Sequence, residues 1–290
     1  MKIDVIITAY NAEDTIERAL QSCVNQVRKP NNVIVVDDCS QDSTYEKVRS
    51  FNDVLIHKLP VNLGCGLAKR IGIGLSQADA VMFLDSDDEL DDLAIQKTEQ
   101  AMLDYDADIV CMGVNQIKED GSVKVEVDSL SVLEGEECIN QFLSFKWTTV
   151  FANAKLVKKQ ILDRCVYSSN RYQEDTASTW RWFREAKKVV RIDYAGYDYY
   201  QRSGSLVNSK MTVSKISDSV NAYKNIMDFI MANNMYSGLA CLMPIRIMSI
   251  EKDIRKIEKT DLTGFERDEI SLCKLYVNQI KKQIGFLTNS

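Results

Sequence analysis

Short apolar runs alternate with segments of helical period along the first part of the chain, and this alternation restricts the fold more than any other feature. Ile3–Thr8 and Val33–Val36 are rich in β-branched residues and, apart from Asp4, largely apolar, as the central strands of a parallel sheet are. Between them, residues 11–25 place apolar side chains at helical spacing, with Asn11 or Asp14 as the expected cap. The pattern therefore predicts a β-α-β unit.

The alternation continues to about residue 115, which predicts a doubly wound α/β sheet with helices on both faces. The further predicted elements of this part are helices over 43–51, 64–77 and 93–105 and strands over 54–59, 80–84 and 109–114. Beyond it, the pattern predicts a hairpin that turns at Asp120-Gly121 and helices over 135–145, 153–162 and 176–186.

A helical region is expected after a boundary near Lys210. We therefore divide the chain into a main domain, 1–210, with halves 1–115 and 116–210, and a C-terminal helical appendage, 211–290. The apolar stripes expected to pack in this appendage contain Ile216, Val220, Tyr223, Met227, Ile230, Ile270, Leu275 and Ile280.

Composition excludes several classes of protein. The formal net charge of −6 over 290 residues opposes binding to a nucleic-acid backbone, so no nucleic-acid partner is expected. The eight cysteines are widely spaced and the chain has one histidine, so a zinc site is not expected and the thiols are interpreted as core residues in a reducing compartment. The start at Met1 does not resemble a signal peptide, and we expect a cytoplasmic protein.

Polar residues follow three of the predicted strands directly. Ligands of open α/β sheets bind beyond the carboxyl ends of the strands, so these residues are candidates for a site. The three segments are Thr8-Ala9-Tyr10-Asn11, Asp37-Asp38-Cys39-Ser40 and Asp85-Ser86-Asp87-Asp88-Glu89. The first turn contains no glycine, which argues against a dinucleotide fingerprint, and neither a Walker loop nor the histidine of a Ser-His-Asp triad is available.

Six acids without a base occupy residues 85–92. Asp91 and Asp92 are explained by the start of the next helix, whose dipole acidic residues stabilise. For Asp88, a role as a helix cap and a role in binding a cation are about equally supported. Asp85 and Asp87 are interpreted as a cation-binding pair, because carboxylates this close together repel one another unless a cation lies between them. The alternative is a purely structural acidic turn. Oxygen ligands suit Mg²⁺ or Mn²⁺, which commonly bridge to substrate phosphates, so the expected ligand is a nucleoside diphosphate derivative.

Taken in order, five motifs resemble those of family 2 glycosyltransferases, which have the GT-A fold. The motifs are Ile7-Thr8-Ala9-Tyr10-Asn11, Val35-Val36-Asp37-Asp38-Cys39-Ser40, Asn62-x-Gly64, Phe83-Leu84-Asp85-Ser86-Asp87-Asp88 and Glu174-Asp175, and the match spans about the first 205 residues. The resemblance implies an α/β fold of GT-A type (Rossmann-like nucleotide-diphospho-sugar transferase) with a C-terminal helical appendage. It also implies that 1–115 binds the nucleotide sugar and that 116–210 forms the acceptor half.

The same resemblance implies roles for individual residues. Asp85 and Asp87 are the expected metal ligands, for Mn²⁺ or Mg²⁺, and Asp175 is the expected general base, with a plain helix cap as the alternative. The residues expected at the donor are Thr8, Ala9, Tyr10, Asn11, Asp38, Asn62, Gly66, Lys69, Asp85, Ser86, Asp87 and Arg202.

One motif departs from the family pattern. Members often read Ala-Arg-Asn where this chain has Ala68-Lys69-Arg70. Lys69 is expected to face the diphosphate or the uracil, and the alternative is the basic face of a surface helix. Arg202 is expected on the diphosphate, with a plain turn as the alternative. Trp180 and Phe183 are expected in the core, while Trp147 is left open between core and acceptor site.

The expected function is an inverting transfer of sugar from a nucleotide-diphospho-sugar, with UDP-hexose or UDP-N-acetylhexosamine favoured, to a hydroxyl of a glycan, lipid-linked or protein-linked acceptor. A sugar nucleotidyltransferase and a catalytically degenerate GT-A binding module are the alternatives. The C-terminal helices have three open interpretations, which are packing on the main domain, pairing in a homodimer, and peripheral contact with the inner face of a membrane.

Overall fold

A mixed β-sheet with a hydrophobic core on each face organises the computed structural model, which describes residues 1–143, 150–201, 210–235 and 243–288. The strands of the described chain are β1 Ile3–Ala9, β2 Asn32–Asp37, β3 Val54–Lys58, β4 Ala80–Asp85, β5 Glu89–Leu90, β6 Ile109–Ile117, β7 Val123–Glu126, β8 Ser131–Glu134, β9 Lys155–Lys158 and β10 Lys188–Tyr200. Their order in the sheet is β3-β2-β1-β4-β9-β6-β10-β5, with β7 paired to β6 and β8 paired to β10.

The helices lie between and after these strands. They are α1 Ile16–Val24, α2 Thr44–Arg49, α3 Cys65–Leu75, α4 Ala94–Asp104, α5 Glu136–Leu143, α6 Lys159–Arg164, α7 Glu174–Ser178, α8 Trp180–Glu185, α9 Val213–Asn233, α10 Met243–Ile257 and α11 Gly264–Thr288. Among the described helices, none combines the length and the apolar character needed to cross a membrane.

The predicted doubly wound part is confirmed. Strands β1 to β4 are parallel neighbours in the order β3-β2-β1-β4, joined through α1, α2 and α3. The capping prediction for α1 is wrong, because Thr15 occupies the N-cap position without a side-chain bond. Asn11 instead adopts a positive φ of 47° and accepts a hydrogen bond from the Gln41 backbone N–H, so it joins two strand-end turns.

Beyond residue 115, one predicted helix is wrong and another is confirmed as helical but divided in two. The helix expected over 153–162 is strand β9 followed by the short helix α6, because Leu156 and Val157 are buried where β9 inserts antiparallel between β4 and β6. The helix expected over 176–186 is two helices, α7 and α8. They meet at Thr179, whose hydroxyl donates to the carbonyls of Val150 and Asp175.

The C-terminal helices extend the core on one face of the sheet, and α9 packs against α7. In α9, the predicted stripe from Ile216 to Ile230 is buried, and it belongs to the same core as Trp180 and Phe183, which confirms the core assignment of those two residues. Leu275 departs from the prediction and is 62% exposed. It lies two positions from Cys273 and from Val277, so helical geometry turns it away from the stripe that these residues form.

We predict that Ile226→Ala lowers the free energy of unfolding by about 2–5 kcal/mol, because Ile226 is fully buried in the core that α9 shares with the sheet. Chemical denaturation followed by circular dichroism measures the change. Leu275→Ala is the matched control, since an exposed helical position changes stability by only about 0.5 kcal/mol. Equal effects of the two substitutions would contradict the shared core.

Candidate active site

Strand register places the three polar strand ends side by side. Thr8, at the end of β1, lies opposite Val36 of β2 on one side and opposite Asp85 of β4 on the other. The backbone N–H of Asp38 donates to the Ala9 carbonyl at 2.8 Å, which continues the pairing past the strands. The convergence expected from the sequence is therefore present at the carboxyl edge of the sheet.

An acidic loop follows β4 at this edge. Asp85, Asp87 and Asp88 each offer a carboxylate oxygen, and these oxygens lie within 4.8 Å of one another. Burial, together with the negative charges of Asp87 and Asp175, raises the pKa of Asp85. Carboxylates that are partly buried and crowded in this way gain stability from a cation, and three oxygen donors suit a hard divalent ion. The residues present therefore fit a divalent metal.

Asp88 has a structural role in the same loop. Its side chain is buried and accepts hydrogen bonds from the Tyr197 hydroxyl at 2.7 Å and from the Tyr200 backbone N–H at 2.9 Å. Burial and the charges of Asp85 and Asp87 raise its pKa well above the ordinary value. Asp88 thus anchors the end of β10 to the acidic loop and does not cap α4.

Lys69 is the buried cation of the site. Its side chain is 2% exposed, and its ammonium lies 3.1 Å from Asp175 Oδ1, 3.3 Å from Glu174 Oε1 and 3.9 Å from Asp85 Oδ1. Burial alone would lower the pKa of Lys69, but the surrounding acidic groups, Asp175 foremost and then Cys65, Tyr167 and Asp85, together outweigh it and hold the pKa well above the usual range. The alternative of a basic surface helix is therefore wrong for Lys69, whereas its contact with a donor stays a prediction.

Asp175 lies inside the first turn of α7 and is buried. The N-cap position of this helix belongs to Gln173, so capping does not explain Asp175. The Tyr167 hydroxyl donates to Asp175 Oδ1 at 2.6 Å, and Lys69 approaches the same oxygen. Next to it, burial and the charge of Asp175 raise the pKa of Glu174 to about 7. The carboxylate of Asp175 is thus oriented by two donors.

Strand β9 and the segment just before it supply two residues that the sequence reasoning missed. Asn153, just before the strand, donates from its side-chain amide to Asp85 Oδ2 at 2.6 Å. Lys155 is fully buried, and its ammonium donates to the carbonyls of Phe151 and Asn153. Burial lowers the pKa of Lys155. No motif marks these residues, and the pattern of their segment was interpreted as helical.

The Asn62-x-Gly64 motif is held by Asp38. The carboxylate of Asp38 accepts hydrogen bonds from the backbone N–H groups of Leu63 at 2.7 Å and Gly64 at 2.8 Å. Gly64 has a φ of 89°, a conformation that favours glycine. At Gly66, a Cβ atom would lie 2.3 Å from the Ser168 carbonyl oxygen, so this glycine lets α3 approach the segment before α7.

The segment before α7 connects this motif to the C-terminal helices. Arg171 donates to the side-chain and backbone oxygens of Asn62, both at 2.8 Å. The backbone N–H groups of Arg171 and Tyr172 both donate to the carboxylate of Asp218 in α9, each at 3.0 Å. A residue of the C-terminal region thus fixes the segment that precedes Asp175, and no sequence motif indicated it.

The remaining predicted residues lie at the same edge or outside the described chain. Tyr10 is 50% exposed at the end of β1, and Ser86 is partly exposed in the acidic loop. Arg202 and Trp147 fall outside the described residues. The donor contacts of all these side chains stay predictions.

Comparison with known proteins shows the family to which the chain belongs. The model of "Glycosyl transferase family 2" matches residues 4–166, and the chain belongs to this family. It is 26% identical to glycosyltransferase GlyG of Streptococcus pneumoniae over 91% of both chains. It is also 26% identical to a poly(ribitol-phosphate) beta-glucosyltransferase of Bacillus spizizenii strain W23, over 70% of this chain and 33% of that one.

A solved structure resembles the whole chain. The crystal structure of S. aureus TarS residues 1–349 in complex with UDP-GlcNAc superposes with a TM-score of 0.76 at 18% identity, covering 99% of this chain and 84% of that one. The fold is therefore the GT-A fold, and the C-terminal helices are present as expected.

We predict that Lys69→Met destabilises the protein by about 3–5 kcal/mol at neutral pH, because it leaves the buried carboxylates of Glu174 and Asp175 without their cation. The folded pKa of Lys69 exceeds its ordinary value of 10.5, so its stabilisation is complete below that pH and is lost only as the pH rises through the folded pKa. Titration of the carboxylates has a separate effect at low pH. When Glu174 and Asp175 bind protons they no longer need a cation, so the difference in stability between the variant and the wild type should become smaller in acid.

Urea denaturation at several pH values measures this effect. Arg70→Met, at the exposed neighbouring position of α3, is the control and should unfold like the wild type. A Lys69→Met variant as stable as Arg70→Met would contradict the buried ion-pair cluster.

Proposed function

We propose that the protein is an inverting glycosyltransferase that moves a sugar from a nucleotide-diphospho-sugar to a hydroxyl of a glycan, lipid-linked or protein-linked acceptor in cell-surface polysaccharide or glycoconjugate synthesis. One observation carries the proposal. The acidic loop and Asp175 meet at one buried ammonium, because Lys69 lies 3.1 Å from Asp175 and 3.9 Å from Asp85. Groups suited to a metal-bound diphosphate and to proton removal are thus neighbours.

The proposed donor is a UDP-sugar, with a UDP-hexose or UDP-N-acetylhexosamine favoured. The similar structure of S. aureus TarS, determined in complex with UDP-GlcNAc, supports this choice. The half-exposed ring of Tyr10 is suited to stacking on a base. Around it, the proposed donor-binding residues are Thr8, Ala9, Asn11, Asp38, Asn62, Gly66, Lys69, Asp85, Ser86, Asp87 and Arg202.

The proposed cofactor is Mn²⁺ or Mg²⁺, held by Asp85 and Asp87. When bound, such an ion would stabilise negative charge on the departing diphosphate. In this chain, Asn153 orients Asp85 through its amide, and Asp88 holds the loop through Tyr197 and Tyr200. The protein thereby supplies a preformed set of oxygen donors.

Asp175 is the proposed general base. Its carboxylate takes the proton of the acceptor hydroxyl while that oxygen bonds to the anomeric carbon, and the bond from this carbon to the diphosphate oxygen breaks. The sugar is inverted in this single displacement, and the nucleoside diphosphate leaves. Lys69 and Tyr167 keep the carboxylate oriented through contacts of 3.1 and 2.6 Å.

The organisation of the chain is proposed as a catalytic domain, 1–210, with a nucleotide-sugar half, 1–115, an acceptor half, 116–210, and a helical region, 211–290. A cytoplasmic location and a homodimer through the C-terminal helices are further proposals. Membership of glycosyl transferase family 2 favours sugar transfer over the nucleotidyltransferase alternative. The intact cluster of Asp85, Asp87 and Asp175 argues against a degenerate binding module.

We predict that Asp175→Asn lowers the rate of sugar transfer by roughly 10²–10⁴-fold, because an amide cannot accept the acceptor proton. UDP binding, measured by isothermal titration calorimetry, should persist and shows that the variant is folded. Asp163→Asn, at an exposed position of α6, is the control and should transfer at the wild-type rate. A wild-type rate of sugar transfer by the Asp175→Asn variant would exclude Asp175 as the general base.

We predict that EDTA stops hydrolysis of the donor and that Mn²⁺ or Mg²⁺ restores it. A panel of UDP-, GDP- and dTDP-sugars, assayed by release of the nucleotide, identifies the donor at the same time. Asp87→Asn should raise the metal concentration needed for half activity, because it removes a charged ligand. Asp92→Asn, an exposed acid beyond the acidic loop, should leave that concentration unchanged. Full activity in EDTA would refute the metal requirement.

A further inference from the structure

Helix α10 has two opposite faces of different character. The face toward the core consists of Met243, Ile247, Ile250, Ile254 and Ile257, all buried. At 100° per residue, the opposite face consists of Ile245, Met248, Ser249, Lys252, Arg255 and Lys256, and Lys259 follows in the next turn. All seven of these residues are exposed. This second set is called the outer stripe below.

The outer stripe carries bases without an acid within it. Two nearby acids point away from the stripe: Glu251 of α10 pairs with Lys281 of α11 at 2.7 Å, and Glu258, just after α10, pairs with Lys274 of α11. Asp253 lies beside the stripe, 3.5 Å from Lys256. The local charge is therefore positive on a protein whose formal net charge is −6.

Two aliphatic side chains lie in line with these bases. Ile245 is 59% exposed and Met248 is 65% exposed, one helical turn apart. Binding to an acidic protein or a soluble polyanion would need only the basic residues and would leave these apolar side chains without a role. Exposed aliphatic groups in a basic stripe match an interface that offers negative charge and, just beneath it, hydrocarbon.

We propose that the outer stripe of α10 docks the protein on a bilayer surface rich in anionic phospholipid. The bases contact the headgroups while Ile245 and Met248 enter the boundary with the acyl chains. The stripe lies on α10, which packs against α9. Helix α9 in turn contacts the site, because its Asp218 fixes the segment before Asp175. The inference does not depend on the proposed chemistry.

Sedimentation of the full chain with vesicles tests the proposal. The wild type should bind phosphatidylcholine vesicles that contain phosphatidylglycerol, bind phosphatidylcholine alone weakly, and be released by high salt. The variant Lys252→Glu, Arg255→Glu, Lys259→Glu should lose at least about 100-fold in its partition coefficient. The control Arg49→Glu, Lys118→Glu, Arg164→Glu changes the net charge equally at exposed positions elsewhere and should bind like the wild type.

A second variant separates a membrane from other anionic partners. Ile245→Ser with Met248→Ser should weaken vesicle binding but leave binding to heparin unchanged. Circular dichroism and hydrolysis of soluble donor confirm that each variant is folded, independently of vesicle binding. The proposal is overturned if the wild type ignores anionic vesicles, if both triple variants bind equally, if the serine variant binds vesicles as the wild type does, or if the outer stripe instead mediates a lipid-free dimer.

Discussion

Three carboxylates, those of Asp85, Glu174 and Asp175, share the buried ammonium of Lys69, and the geometry of the site depends on this interaction. Asp85, Asp87 and Asp88 come from the loop after β4, whereas Glu174 and Asp175 come from α7, far along the chain. Lys69 bridges the two groups from α3. Without a cation the carboxylates would repel one another in a medium that screens charge poorly, so the two halves of the site could not approach this closely.

The surrounding structure fixes these groups from several directions. Strand β9 inserts between β4 and β6, and it brings Asn153 against Asp85 and buries Lys155 beneath the segment 151–153. Helix α9 contributes Asp218, which holds the segment before α7, while Arg171 of that segment holds Asn62. The site is thus supported by elements far apart in sequence, which suits side chains that must keep a defined geometry.

The first part of the fold and the strand-end residues could be predicted because their signals are local. Continuous apolar runs indicated β1, β2 and β4, and parallel strands necessarily end at a common edge, where Thr8 and Asp85 lie side by side. Strand β10 was missed because register shifts between Arg191, Ala195 and Tyr197 interrupt the alternation that marks a strand. Strand β9 was missed because four residues are too few to show a period.

Contacts made through tertiary structure were beyond a single sequence. The motif containing Lys69 indicated a cation near the donor, but only packing shows that its ammonium is buried against Asp175. Tyr167 and Asn153 belong to no motif, and their importance comes from distances of 2.6 Å to Asp175 and to Asp85, respectively. Residue types could be identified from the sequence, whereas their partners required the fold.

A crystal structure of the protein with Mn²⁺ and UDP tests the central claim most directly. The account predicts an anomalous peak between the carboxylates of Asp85 and Asp87, the diphosphate beside it, and Lys69 still paired with Asp175. A peak elsewhere, or acidic side chains turned outward with Lys69 separated from Asp175, would contradict it.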